Sequence, residues 1–310
     1  MWNILTSSYV VLATVAFVLI AAGAIVGIRL AMVFPQGVQN LDERLRWDRL
    51  HTLLVTLMSV GIVVRIFLAP LWFFALSSLV PLIAGGMCLA SVHHLGEPYS
   101  WTASAFKAVV PAFLLIWLVM DRLDRQFEDE PFLQKRLVWL PALLVLVLVE
   151  TFLDIGFFAN IELGPSPCCM TLFDGPGIAT DVSGMSTWTG TATLVVSLAA
   201  LWIWGWFKGP GKIAAILAAV VVVAWIWALH GRLGSLWMDM PSHHCLFCVW
   251  RLEWTSVLAT LLMVFGSWLV FGRSVLAAVL RPSPRAPDSV RLPLVVIGIG
   301  IVITVVAVGL

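Results

Sequence analysis

Apolar runs long enough to cross a bilayer recur along almost the whole chain. A hydrocarbon core of about 30 Å needs about 20 apolar residues in helical form. Nine stretches qualify, at roughly 8–34, 52–68, 71–92, 106–120, 137–158, 188–207, 213–230, 249–272 and 292–310. The second and third are divided only at Ala69-Pro70, so eight spans is the alternative count. The fourth is short and contains Pro111, which neighbouring helices accommodate inside a membrane bundle. The pattern predicts an all-α fold: a polytopic transmembrane helix bundle over residues 1–272, with outer loops at 159–187 and 231–248. Arg281-Pro282-Ser283-Pro284-Arg285-Ala286-Pro287 marks 273–291 as a Pro-rich cytoplasmic linker. That leaves 292–310 as a C-terminal transmembrane helix, an appendage to the bundle. No cleavable signal peptide is expected, because Met1-Trp2-Asn3-Ile4 lacks a basic n-region and the first apolar run is too long.

The cations between the runs set an orientation. With nine spans, one side carries Arg122, Arg125, Lys135, Arg136, Lys208, Lys212, Arg273, Arg281, Arg285 and Arg291. The other carries Arg44, Arg46, Arg49 and Arg232. Lys and Arg accumulate on the cytoplasmic face, so ten against four makes the N-terminus cytoplasmic and the C-terminus external. The three arginines of the 35–51 loop vote the other way. Under this orientation both outer loops face away from the cytoplasm and hold four of the five cysteines. All six histidines (His51, His93, His94, His230, His243 and His244) fall at outer ends or in outer loops, and Cys88 lies near the outer end of the third run.

Composition confirms lipid as the main solvent. Of 310 residues, 61% are hydrophobic and 11% charged, with a mean hydropathy of +1.02, whereas soluble domains carry about 25% charged residues. The expected location is an integral, multi-pass place in a membrane, in the first instance the bacterial inner (plasma) membrane. Several of the sixteen tryptophans sit near the ends of runs, where an amphipathic ring suits the headgroup zone. A net charge of +1 and no basic stripe argue against nucleic acid as a partner. No Walker A, GxSxG, HExxH, CxxCH or dinucleotide fingerprint occurs.

The densest chemistry is Pro241-Ser242-His243-His244-Cys245-Leu246-Phe247-Cys248. With Ser242 as the helix cap, Cys245 falls in the first turn, and His244, Cys245 and Cys248 share a face. The positive end of a helix favours thiolate, the form that is both nucleophile and metal ligand. A second cluster is Cys168-Cys169-Met170, two thiols and a thioether. Soft sulfur selects Cu(I), Zn or iron–sulfur centres, and imidazole suits Zn, Cu, Fe or Ni. His93 and His94, at a helix end, either bind water and carbonyls or serve as auxiliary metal donors or haem ligands; Met238 and Met240 are auxiliary donors too, although the two methionines fit packing better. His51 and His230 fit structural roles, or haem ligation. Inside the membrane, Glu150 and Asp154 lie one turn apart and Arg65 lies in the second run. Ionisable groups there mark function by default. They form either a polar path for a cation or proton, or an internal pair that holds the bundle together.

Three functions follow. The first is capture, transport or hand-over of a soft metal, Cu(I) before Zn, at Cys245, Cys248, His244, His243, Cys168, Cys169 and Met170, with an extracytoplasmic metal- or thiol-carrier protein as partner. The second is thiol–disulfide exchange with quinone, with Cys245–Cys248 and Cys168–Cys169 as redox pairs. In arrangement this resembles the quinone-linked disulfide-forming enzymes, whose helical unit is less than half this length. The third is a haem b- or cluster-binding subunit of a larger electron-transfer complex in the membrane. Structural disulfides between the outer loops are the bland alternative to all three.

Overall fold

In the computed structural model of the chain, the residues described are 3–33, 41–86, 88–125, 132–162, 164–166, 187–207, 211–239, 245–280 and 291–308. The helices are α1 (Ile4–Val33), α2 (Leu41–Ser77), α3 (Leu89–Leu95), α4 (Tyr99–Asp124), α5 (Leu133–Asn160) and α6 (Thr187–Phe207). They continue with α7 (Lys212–His230), α8 (Arg232–Trp237), α9 (Leu246–Leu252), α10 (Trp254–Leu280) and α11 (Arg291–Val308). A short 3-10 turn at Val80–Leu82 precedes α3, and no strand occurs among the described residues. Among the described residues, seven helices are long and apolar enough to cross a membrane, and α11 contributes a shorter apolar segment at Pro293–Val308. The chain is therefore an all-α, multi-pass bundle. Lipid-facing helices suit it because they satisfy their own backbone polar groups.

The described helices favour the eight-span alternative over nine. The runs at 52–68 and 71–92 are not two spans: α2 passes through Pro70 unbroken to Ser77. Proline is tolerated inside membrane helices because neighbours and local adjustments re-satisfy the freed carbonyl. Here the flanking Ala69 and Trp72 are buried in the bundle. At 1.5 Å per residue α2 is about 55 Å long, more than a bilayer core needs. Its first turn carries Asp42 and Glu43, acidic groups that suit a helix N-terminus.

The chain divides into two compact units. The first comprises Met1–Leu79 and Gly96–Glu162, and its long helices are α1, α2, α4 and α5. Their core includes Ile20, Ala24, Leu54, Met58, Leu114, Trp117, Leu140 and Val147. Small residues let α1 and α2 approach closely, as membrane helices commonly do. A Cβ on Gly61 would stand 2.7 Å from Ile20 Cγ1 and 3.3 Å from the Ala16 carbonyl oxygen. Large apolar side chains such as Phe67, Phe74, Val145 and Phe152 point outward.

The two ends of this unit differ in chemistry. At one end His51 meets Arg136, and Asp121 pairs with Arg136 and Arg125. At the other end of α2, Asn3 Nδ2 donates to Ser78 Oγ at 2.7 Å. The expectation that the N-terminus shares a side with Arg122–Arg136 therefore does not hold. Merging two runs into α2 removes one crossing, and Asn3 lies at the opposite end. The same change moves His51 to the basic end, away from where an outer ligand was expected.

The second unit comprises Val80–Leu95 and Leu163–Leu310. Its core includes Leu201, Val221, Trp225, Leu229, Val249, Ala259, Met263 and Ile297. The last helix is no appendage: Leu294 and Ile297 are fully buried. A Cβ on Gly266 of α10 would sit 2.6 Å from Ile297 Cγ1. α10 also runs on to Leu280, so residues 273–280 are helical where a linker was expected.

Candidate metal centre

Two sequence-distant pieces of the second unit meet around sulfur. Cys88 stands just before α3, and its carbonyl accepts a hydrogen bond from Ser91 N–H at 3.1 Å. Cys245 is itself the N-cap of α9, with an extended backbone (φ −87°, ψ 110°). Its carbonyl accepts from Cys248 N–H at 3.1 Å and Val249 N–H at 3.2 Å. This differs from Cys245 in the first turn behind a Ser242 cap; Ser242 lies outside the described residues. The consequence is the same, because one tight turn brings Cys245 and Cys248 together.

Cys88 Sγ lies 3.7 Å from Cys245 Sγ. With Cys248, the three sulfurs all lie within 4.8 Å of one another. A disulfide needs about 2.05 Å, and none joins these cysteines. Metal–sulfur bonds of about 2.3 Å place thiolates about 3.8 Å apart in a tetrahedron and about 4.0 Å apart in a trigonal plane. The observed spacing is therefore one that a single ion can bridge with small adjustments. It equally serves an S–H···S contact between metal-free thiols. Cys88 and Cys245 are 2% and 0% exposed, and Cys248 is half-buried, giving the cluster one more open side.

The wall of the site is built from α3 and α9. His93 is buried and stacks on Phe247 at 4.9 Å between ring centroids, with an interplanar angle of 18°. Burial pushes its pKa down to about 4, so the imidazole is neutral at ordinary pH. Ser166 is tied to the segment that carries Cys88. Its N–H donates to the Ala84 carbonyl at 3.1 Å, and its hydroxyl to the Ser91 carbonyl at 3.4 Å. Gly85 beside it takes φ +79°, where only glycine is at ease. An added Cβ there would stand 3.0 Å from the Ser166 carbonyl oxygen.

Cys168, Cys169, Met170, Met240, His243 and His244 lie outside the described residues. His94 is exposed and His230 is half-buried at the end of α7. Met238 is buried in the apolar core of the second unit, the packing role its sequence context favoured. In the first unit, His51 Nε2 is 2.6 Å from Arg136 Nη2, and Trp47 stacks on its ring. An arginine stays protonated and donates, so that nitrogen acts as an acceptor for a guanidinium. Glu150, Asp154 and Arg65 do come together, with Lys107 and Tyr9 added. The carboxylates are thus matched by cations and do not form an open acidic throat.

Sequence reasoning missed Cys88 as a partner of Cys245, 157 positions away. Its only signal was a place near the end of an apolar run. Lys107 and Tyr9 were missed as well, although a lysine within an apolar run and one of only two tyrosines were visible clues. No protein-family model matches this chain, and neither does any curated protein or solved structure.

Proposed function

We propose that this chain is a multi-pass membrane protein whose second unit binds a soft metal ion, Cu(I) ahead of Zn, at Cys88, Cys245 and Cys248, to capture, carry or hand it over. The observation that carries this reading is the convergence of three sulfurs within 4.8 Å from two distant segments. Three thiolates suffice for Cu(I), a soft ion that accepts sulfur-only sites. Zn favours four ligands, and the fourth would come from His243, His244, Cys168, Cys169 or Met170. The anchoring of Ser166, two residues before Cys168, on the Cys88 segment supports the second Cys pair as a source. Each thiol must lose its proton to bind, so loading releases protons and weakens as pH falls.

Taking the eight apolar helices as successive crossings also removes the discordant charge vote. Arg44, Arg46 and Arg49 then join Arg122, Arg125, Lys135 and Arg136 on the cytoplasmic side. The N-terminus and the cysteine-bearing segments become extracytoplasmic. A carrier protein outside the membrane is the natural donor or acceptor for the ion.

Thiol–disulfide exchange with quinone is the second reading, favoured by the 3.7 Å approach of Cys88 and Cys245. Metal analysis of protein purified under reducing conditions separates the two. The metal reading expects about one Cu or Zn per chain in wild type and loss of that metal in C88S, C245S and C248S. Wild type without bound metal, with a mixed disulfide trapped by C248S, supports exchange instead.

A further inference from the structure

Each long helix of the first unit sends a polar group into one buried layer. Tyr9 comes from α1, Arg65 from α2, Lys107 from α4, and Glu150 and Asp154 from α5. None is more than 2% exposed. Lys107 Nζ bridges the two carboxylates, 2.7 Å from Glu150 Oε1 and 2.6 Å from Asp154 Oδ2. Arg65 Nε donates to Glu150 Oε2 at 2.8 Å, and Arg65 Nη2 lies 3.7 Å from Asp154 Oδ2. The Tyr9 hydroxyl donates to Asp154 Oδ2 at 2.7 Å. Trp72, Phe157 and Phe158 pack around the layer, and Lys107 Nζ lies 5.2 Å from the Trp72 ring centre.

Two features set this layer apart from a simple clamp. Its formal charges cancel, two cations against two carboxylates, so a further metal cation gains nothing there. Yet the hydrogen bonds are lopsided. Asp154 Oδ2 draws Lys107, Tyr9 and Arg65, while Asp154 Oδ1, buried in the same layer, receives no donor among the described residues. Leaving a buried acceptor open is unfavourable, and apolar side chains would hold four helices together at least as well. Ionisable groups at this depth mark ion or proton handling by default. The smallest species that fits an open carboxylate oxygen in a neutral, tightly packed layer is a proton.

We propose that Asp154 is a proton-binding site inside the membrane-spanning part of the first unit, with Oδ1 the atom that takes the proton. Loading converts the carboxylate to the acid by adding one proton delivered from water, and the layer goes from neutral to a single positive charge. Nothing is oxidised or reduced. Lys107, 2.6 Å from Oδ2, keeps that oxygen occupied and leaves Oδ1 as the open acceptor. The charged and titratable neighbours on the packed helices are Tyr9, Arg65, Lys107 and Glu150. The site stands independently of the thiolate cluster.

Infrared difference spectroscopy on the full chain in detergent, in water and in deuterated water, tests this through the carboxylic C=O stretch. As pH is lowered, wild type should gain an acid band that shifts on deuteration. The band should vanish in D154N and survive in E150Q. In K107M, which leaves one uncompensated negative charge, it should persist to higher pH. Should D154N fail to fold, wild type is treated with a hydrophobic carbodiimide, which attacks protonated buried carboxyls, and the adduct is mapped by mass spectrometry. An adduct on Asp154 that grows as pH falls supports the site. A band that survives D154N, or no titrating band and no Asp154 adduct, leaves the layer a structural clamp and overturns the proposal.

Discussion

Replacing Arg65 with methionine tests how the buried layer of the first unit is held together. The change keeps much of the side-chain volume but removes four contacts. These are the bond to Glu150 Oε2 at 2.8 Å, that to Thr151 Oγ1 at 3.1 Å, that to the Ala13 carbonyl at 3.3 Å, and the ion pair to Asp154 at 3.7 Å. Lys107 then faces two carboxylates alone. Breaking a buried pair by removing one partner costs about 3–5 kcal/mol, because the other charge is left uncompensated. Pairing R65M with E150Q removes the excess charge and leaves only imperfectly bonded polar groups, worth about 1–3 kcal/mol. The double variant should therefore be about 2 kcal/mol more stable than R65M, roughly a 30-fold change in the unfolding equilibrium. Unfolding in mixed micelles by added SDS, followed through tryptophan fluorescence, reads both values. An R65M protein within about 0.5 kcal/mol of wild type, or a double variant that merely adds the two single losses, would refute the reasoning.

Other consequences follow from the packing of both units. His93 binds its proton near pH 4 when folded, against 6.5 for a free histidine, so between these values the unfolded chain holds a proton that the folded chain lacks. Stability of the metal-free protein should be full above about pH 6.5 and fall by on the order of 3 kcal/mol towards pH 4; H93F, which keeps a ring against Phe247, should flatten that slope, and an unchanged slope counts against it. Gly234→Ala drives a Cβ to 2.0 Å from the Leu229 carbonyl oxygen, so it should cost at least about 1–3 kcal/mol in chemical unfolding. Gly27→Ala in the first unit meets only leucine methyl ends, Leu140 Cδ1 at 2.1 Å and Leu54 Cδ1 at 3.2 Å, and should cost less; the reverse order contradicts the packing. Diamide, reduced to its hydrazine as two thiols lose hydrogen, should link Cys88 to Cys245 in metal-free protein. Bound Cu(I) should suppress that link, and a Cys245–Cys248 product in its place contradicts the 3.7 Å contact.

Most of the helical framework was readable because lipid imposes a simple rule: a crossing segment must be apolar and must close its own hydrogen bonds. Pro70 misled because a proline usually ends a helix, whereas buried neighbours let α2 continue through it. That one error reversed the parity of the first unit and put Asn3 and His51 at the wrong ends. The three arginines at 44–49 already carried the correction, as the votes that did not fit. Cys245 and Cys248 were legible as a pair because a single turn joins them. Cys88 was not, since only tertiary packing brings it there. Likewise Glu150 and Asp154 share one helix face and were seen together, while their counter-charge Lys107 sits on α4 and their hydrogen-bond donor Tyr9 on α1.

X-ray absorption at the copper edge, on protein loaded with one Cu(I) per chain under reducing conditions, addresses the thiolate centre most directly. The account predicts three sulfur neighbours at about 2.3 Å, falling to two when Cys88 is replaced by serine. A first shell of nitrogen or oxygen alone, or a spectrum unchanged in C88S, would contradict it.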